Sequence, residues 1–352
     1  MADFIELIRA ARIQAGICGN MGSPFYEGLL ERIAADLEAG GPSCELYARW
    51  ADSDLRSLYN DGVPIRVANT FNHLAMGDEA PDLAATWPRP GQAIDPDAAW
   101  AAARRAIGPH FAALSAFLDH EPQTNEVRRT SGLLGGFLTV AAETGLPLRS
   151  FEIGASAGLN QFWDRFRYEL GPVRWGDPAS SVVVDADWAG GAPPLAPVSV
   201  IERGACDRRP TDLADPVQRR RLLACIWPDM FDRLERSRRA IDLAMALGVT
   251  VDAADALDWT RARIRPQTGA ATVLFHSIFW QYLPRQTQTD LTAAIETIGA
   301  TATEDAPFAW LRFEPPPTNM ATVEVWLTLW PGGTERRLAE AHPHGASVTW
   351  LG

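Results

Sequence analysis

Leu148-Arg149-Ser150-Phe151-Glu152-Ile153-Gly154-Ala155-Ser156-Ala157-Gly158-Leu159-Asn160 is the stretch whose reading decides the fold. It runs apolar into an acid and then alternates small residues, the pattern of a strand that feeds a tight turn and a helix. Gly154 and Gly158 lack a Cβ, so the turn can adopt positive φ and its amides can approach a ligand closely, with the next helix N-terminus beside them. An acid just before such a turn suits a ligand that carries a cation or hydroxyl groups. A turn with only a structural purpose would read the same way, so the surrounding elements have to decide.

Upstream of that stretch, residues 1–145 carry helical periodicity: Phe25, Leu29, Leu30, Ile33 and Leu37 fall at 3.6-residue spacing, as do Ile107, Phe111, Leu114 and Leu118. Pro and Gly clusters at 40–42, 87–91 and 120–122 separate the helices. Downstream of Pro147 the pattern becomes apolar strands alternating with helices, which predicts a mostly parallel sheet with crossover helices. Strands are expected at Val198–Asp207, Val249–Val251, Ala271–Phe275 and Phe308–Glu314. Helices are expected at 159–166, at 215–247 with a break at Trp227-Pro228-Asp229, and at 286–298. The segment 181–188 reads as a hairpin insertion, and two late strands, 323–330 and 346–350, are joined without a long crossover and so pair antiparallel. The expectation is a helical domain over 1–145 that shapes the substrate pocket, followed by an α/β domain over 146–352.

In an open α/β sheet, ligands bind outside the carboxyl ends of the strands. Glu152, Asp207, Asp255 and His276 are the polar residues expected there. Asp207 is suited to accept both hydroxyls of a ribose, or to cap the following segment as an Asx turn. Asp255 is suited to accept an adenine amino group, or to cap a helix. His276 has the chemistry of a general base, although a histidine that only satisfies the core is the commoner case. Trp280 and Tyr282 follow it and can line a pocket. The polar cluster Gln123, Asn125, Glu126 and Arg129 is read as the edge of the substrate site, with Thr124 or Asn125 as a helix cap in the plainer reading.

The composition narrows the function classes. A net charge of −12 disfavours a nucleic-acid backbone as the main partner. All 32 basic residues are arginine, which excludes a Schiff-base lysine, a phosphate-loop lysine and a Tyr-x-x-x-Lys pair. Cys18, Cys44, Cys206 and Cys225 form no Cys-x-x-Cys pair, and His342-x-His344 has no evident carboxylate partner, so no metal site is expected. The amino terminus has no basic region followed by a long apolar run, and no 18 uncharged apolar residues occur together, which makes a cytoplasmic location the expectation, with no membrane partner. The oligomeric state is not legible.

Four motifs, Gln123-Thr124-Asn125-Glu126-Val127-x-Arg129, Glu152 to Asn160, Asp164-Arg165-Phe166-x-Tyr168 and Trp227-Pro228-Asp229, together resemble the bacterial family called domain of unknown function 2332. More distantly, residues 147–352 resemble class I S-adenosylmethionine-dependent methyltransferases, whose Glu-x-Gly-x-Ser/Gly-x-Gly arrangement is similar to Glu152, Gly154, Ser156 and Gly158. That resemblance implies a Rossmann-like sheet and a cofactor held by those four residues with Asp207 and Asp255. It further implies methyl transfer to a small molecule, with His276 as base and with Gln123, Asn125, Glu126, Arg129, Trp280 and Tyr282 around the substrate. Ser156 replaces a glycine common in those turns, and a long insertion separates the first two strands. The competing readings are a non-catalytic ligand-binding or assembly protein on the same fold, and a nicotinamide oxidoreductase, which the missing Tyr-x-x-x-Lys pair disfavours.

Overall fold

The structure, a computed structural model, describes residues 4–316, 319 and 321–352. The chain divides into two compact units, one of residues 1–124 with 214–235, the other of 125–213 with 236–352.

The first unit is helical. Helix Pro24–Glu38 shows why it starts where it does: Ser23 accepts the N–H of Tyr26 and Pro24 occupies the first turn, where no N–H is needed. Its apolar stripe Phe25, Leu29, Leu30, Ile33 and Leu37 is buried, as are Ile107, Leu114 and Leu118. Phe111 departs from the expected stripe and stays 37 % exposed.

Residues 214–235 belong to this unit, whereas the sequence reads them as part of a crossover helix of the α/β domain. Specific bonds account for the difference. Asp229 accepts Ser23 Oγ at 2.6 Å and the Phe25 N–H at 3.0 Å, so it caps the helix that follows Ser23. Asn72 donates to the carbonyls of Ala224 and Ile226 and accepts the indole N–H of Trp87. Trp227 stacks on Tyr26 at 6.0 Å. The Trp-Pro-Asp motif is thus an anchoring motif, and the helix it interrupts is two, Pro216–Ala224 and Phe231–Ala246.

The second unit is built on one eleven-stranded sheet. In chain order its strands are β1 (Leu148–Ile153), β2 (Arg167–Leu170), β3 (Val173–Gly176), β4 (Val183–Gly190), β5 (Val200–Asp207), β6 (Asp252–Ala253), β7 (Ala271–Ser277), β8 (Phe308–Glu314), β9 (Val323–Trp330), β10 (Thr334–Ala341) and β11 (Ser347–Trp350). Their order across the sheet is β3-β2-β4-β11-β10-β9-β8-β7-β1-β5-β6. The pairings among β8, β7, β1, β5 and β6 are all parallel, and β1 is buried along its whole length, as a strand covered on both faces must be. β8 to β11 form an antiparallel meander, and β11 then pairs parallel to β4.

Three sequence expectations change here. The late strands number three, because Thr334–Ala341 also pairs; its Arg-rich half does not read as a strand by hydrophobic alternation. The hairpin of the insertion is β2 with β3, while the segment expected to form it runs as the single strand β4. The strand expected at 249–251 is displaced to the two residues of β6. The resulting architecture is a mixed α/β unit with a large, mostly parallel sheet.

Helices cover both faces of the sheet. Thr130–Thr144 lies close on one face, where Gly132, Gly135 and Gly136 are met by Phe313, Trp350 and Leu311. Ala256–Arg263 and Arg285–Gly299 bury Trp259, Leu291, Ile295 and Ile298 on the other, against Phe151, Leu274 and Trp310.

Candidate functional site

The carboxyl end of β1 passes into a turn with two left-handed glycines, Gly154 at φ 68° and Gly158 at φ 75°, with Ser156 between them at φ 55°. A side-chain-bearing residue in that region is held there at a cost of about 1–2 kcal/mol. Here the holding groups are visible: the Ser156 N–H donates to Asp207 Oδ2 at 2.8 Å, and its carbonyl accepts the N–H of Thr211 at 3.2 Å. Asp207 Oδ1 accepts the Arg209 N–H at 2.9 Å. Both oxygens of Asp207 therefore accept backbone amides, and the Asx-turn alternative is realised. Asp255 likewise caps the helix Ala256–Arg263, accepting the N–H groups of Leu257 at 2.8 Å and Asp258 at 3.4 Å.

Glu152 behaves differently. It is 2 % exposed, its Oε2 has no hydrogen-bond partner, and burial, reinforced by Asp207 and opposed by Asn160 and Arg129, pushes its carboxyl up to about 8. Two neighbouring polar atoms on the same turn are also buried without a partner, Ser156 Oγ and Asn160 Oδ1. A buried polar group left unmade in this way costs about 1–3 kcal/mol. Three such atoms lie within nine residues of the chain, and each can accept a hydrogen bond.

His276 does not face those atoms. Glu152 pairs with Phe275 in the parallel register of β1 and β7, so the pleat sends His276 to the opposite face of the sheet. There it is fully buried, with Nδ1 at 2.6 Å from Glu314 Oε1 and Nε2 at 3.1 Å from the Trp310 indole nitrogen. Trp280 stacks on the ring at 5.2 Å. Both ring nitrogens are engaged, and the geometry expected of a general base at the turn is not met. Tyr282, two residues on, is 69 % exposed.

The polar cluster upstream is divided by the unit boundary. Gln123 lies in the helical unit, its backbone beside the Cys225 thiol. Asn125, Glu126 and Arg129 belong to the sheet-bearing unit and tie its loops together. Asn125 Oδ1 accepts the N–H of Leu159 at 2.9 Å, directly after Gly158. Arg129 donates to the carbonyls of Ser277 and Pro343. Glu126 caps the short turn Val127–Arg129 by accepting the Arg128 N–H. In the loop before β11, the His344 N–H donates to His342 Nδ1 at 3.0 Å.

Two residues at this end of the sheet were not singled out from sequence, Glu314 and Phe279. The signal for Glu314 was present, since it closes a largely apolar strand directly before Pro315-Pro316. Phe279 carried no signal, because its neighbour Gly154 is 125 positions away in the chain.

The family model described as "Uncharacterized protein conserved in bacteria (DUF2332)" matches residues 9–350. The chain belongs to this family. No curated protein and no solved structure matches it. Among the described residues no helix is long and apolar enough to cross a membrane.

Proposed function

We infer that the carboxyl end of β1 binds S-adenosylmethionine and that the protein is a cytoplasmic methyltransferase acting on a small molecule. One observation carries this reading: Glu152 Oε2, Ser156 Oγ and Asn160 Oδ1 are buried and unpartnered on a turn with two left-handed glycines. The residues present fit the ammonium-bearing end of that cofactor, since Glu152, Asn160 and the Ser156 hydroxyl can accept from an N–H donor group, and a bound cation would favour the ionised form of the Glu152 carboxyl. The cofactor supplies an activated methyl group when bound. Glu152, Asn160 and Ser156 orient the ligand, and Asp207 holds the turn in shape for it. Proton removal by His276 has no part in this reading, and rate enhancement comes from holding donor and acceptor in line.

A second reading, an assembly protein without turnover, is favoured by the filling of the turn with the protein's own side chains. A Cβ added at Gly158 would stand 2.4 Å from Gln161 Nε2 and 2.7 Å from Val251 Cγ2, so this glycine serves close packing. Calorimetric titration with S-adenosylmethionine, S-adenosylhomocysteine and NAD(P) separates the readings. Tight binding of the first two with NAD(P) inert supports the proposal, and methyl transfer to any acceptor excludes the second reading. Absence of binding by either sulfur nucleoside overturns both the cofactor and the reaction.

A further inference from the structure

Phe279 is held against the turn by a carboxylate. Glu314, the last residue of β8, accepts the Phe279 N–H at 2.9 Å through Oε1 and at 3.2 Å through Oε2, while Oε1 also meets His276 Nδ1. The residue before Phe279 is Ile278 at φ 48°, a conformation that a β-branched residue keeps only when its surroundings fix it. They do so from both sides, because the Ile278 N–H donates to the Phe313 carbonyl at 2.9 Å. The outcome is the placement of one ring. A Cβ added at Gly154 would stand 2.1 Å from Phe279 Cδ2 and 2.6 Å from Cγ, so the phenyl group lies flush on the open side of that glycine.

We propose that Phe279 is the residue that governs access of a ligand to the Gly154 turn, and that Glu314 is the positioning residue that keeps it closed. The proposal deepens the cofactor reading above and rests on it. Phe279 is only partly buried, and the segment after it contains no regular structure before Pro284 except the short turn Trp280–Tyr282. The ring lies at the margin of the core, edge-on to His276 at 5.8 Å and against the Phe151–Trp310 cluster, so its departure gives up those contacts at the edge and leaves the strands paired. Ile278 relaxes to negative φ, the Phe279 N–H leaves Glu314, and the His276–Trp310 contact stays in place. A ligand that needs the Gly154 face binds only the open form, and its apparent affinity is reduced by the fraction of time that the face is covered.

The test uses the full chain as wild type, Phe279→Ala and Glu314→Gln. Each is titrated with S-adenosylhomocysteine by calorimetry, and hydrogen exchange is followed without ligand. Phe279→Ala is expected to bind at least about tenfold more tightly, as removal of a closed-state penalty requires. Glu314→Gln is expected to shift affinity in the same direction and to speed exchange of the Phe279 amide, with β1 and β8 protected as in wild type, which shows the fold intact. Equal or weaker binding by Phe279→Ala, or a Phe279 amide in Glu314→Gln that exchanges as in wild type, overturns the proposal. If none of the three proteins binds the nucleoside, the cofactor reading fails by itself. The gate is then decided by exchange at Gly154 and Ala155: faster in Phe279→Ala upholds it, unchanged rates reject it.

Discussion

The indole N–H of Trp310 donates to His276 Nε2 across 3.1 Å, and that single bond fixes the imidazole tautomer. An indole nitrogen can only donate, so Nε2 is the acceptor and the ring proton sits on Nδ1, facing the Glu314 carboxylate at 2.6 Å. The histidine joins two strands at their carboxyl ends: β7, which carries it, and β8, which carries both partners.

His276→Ala should therefore act on stability, leaving the Trp310 indole N–H without its acceptor, removing one of the Glu314 carboxylate's donors and opening a cavity, at about 2–4 kcal/mol. Trp310→Phe removes only one donor and should cost about 1 kcal/mol for the lost bond. Urea unfolding of both variants measures this, and nitrogen NMR of the imidazole checks the tautomer. A protonated Nε2, or a His276→Ala protein as stable as wild type, contradicts the assignment.

Glu152 gives stability a pH dependence of defined sign. Its carboxyl ionises near 4.5 ordinarily and only at about 8 in the fold, where burial disfavours the charge. Below 4.5 the group is neutral in both states and its contribution is complete; between the two values the unfolded chain alone releases the proton, so stability falls as pH rises, and the loss is complete above 8. Glu152→Gln keeps the shape without the charge. It should match wild type near the lower value and exceed it above the upper one, by on the order of 2–4 kcal/mol. Denaturant melts at the two ends of that window decide, and a difference between the proteins that does not change with pH sinks the idea.

The strand and turn around Glu152 were legible because β1 is a continuous segment bounded by Pro147 and Gly154 and because glycine marks left-handed positions, whereas the helix expected after them is a kinked 3-10 segment, Leu159–Arg165. β8 was found residue for residue for the same reason. What sequence could not supply was the pleat. Glu152 and His276 both lie at strand ends and look like neighbours, but a register of Glu152 with Phe275 places them on opposite faces. Nor could local pattern assign 214–235, whose helical periodicity is genuine; its membership in the helical unit depends on Asn72 and Asp229, bonds that span more than 150 residues.

Gly158→Val should destabilise the fold itself. The position combines φ 75° with Gln161 and Val251 at contact distance, so a β-branched residue meets both a backbone penalty and overpacking, together about 2–4 kcal/mol. A ligand-binding loss in this variant has to be read beside its melting curve. Full stability would mean that the turn has room that the contacts at Gly158 deny it.

Asp207→Ala is expected to loosen the turn before any ligand is added. The carboxylate accepts the amides of Ser156 and Arg209, and charge-assisted bonds of this kind contribute about 1.5–3 kcal/mol. Exchange at the Ser156 amide should accelerate in the variant. Unchanged exchange with weakened nucleoside binding would return Asp207 to the direct ligand role read from sequence.

Asn125 tests whether the polar cluster before Thr130 supports the turn from behind. Its Oδ1 accepts the Leu159 N–H at 2.9 Å, the first amide after Gly158, and the residue is 9 % exposed. Asn125→Ala leaves that amide buried without an acceptor, at about 1–3 kcal/mol. Asn125→Asp keeps an oxygen in the same place and should recover most of the loss at neutral pH, whereas Asn125→Leu, of similar size but without an acceptor, should not, an order that a role confined to packing would not give. Protection of the Leu159 amide should follow the same order, with wild type and Asp high and Ala low. If Ala and Asp lose the same stability, the bond to Leu159 is not what Asn125 contributes, and the turn is held by Asp207 and the sheet alone.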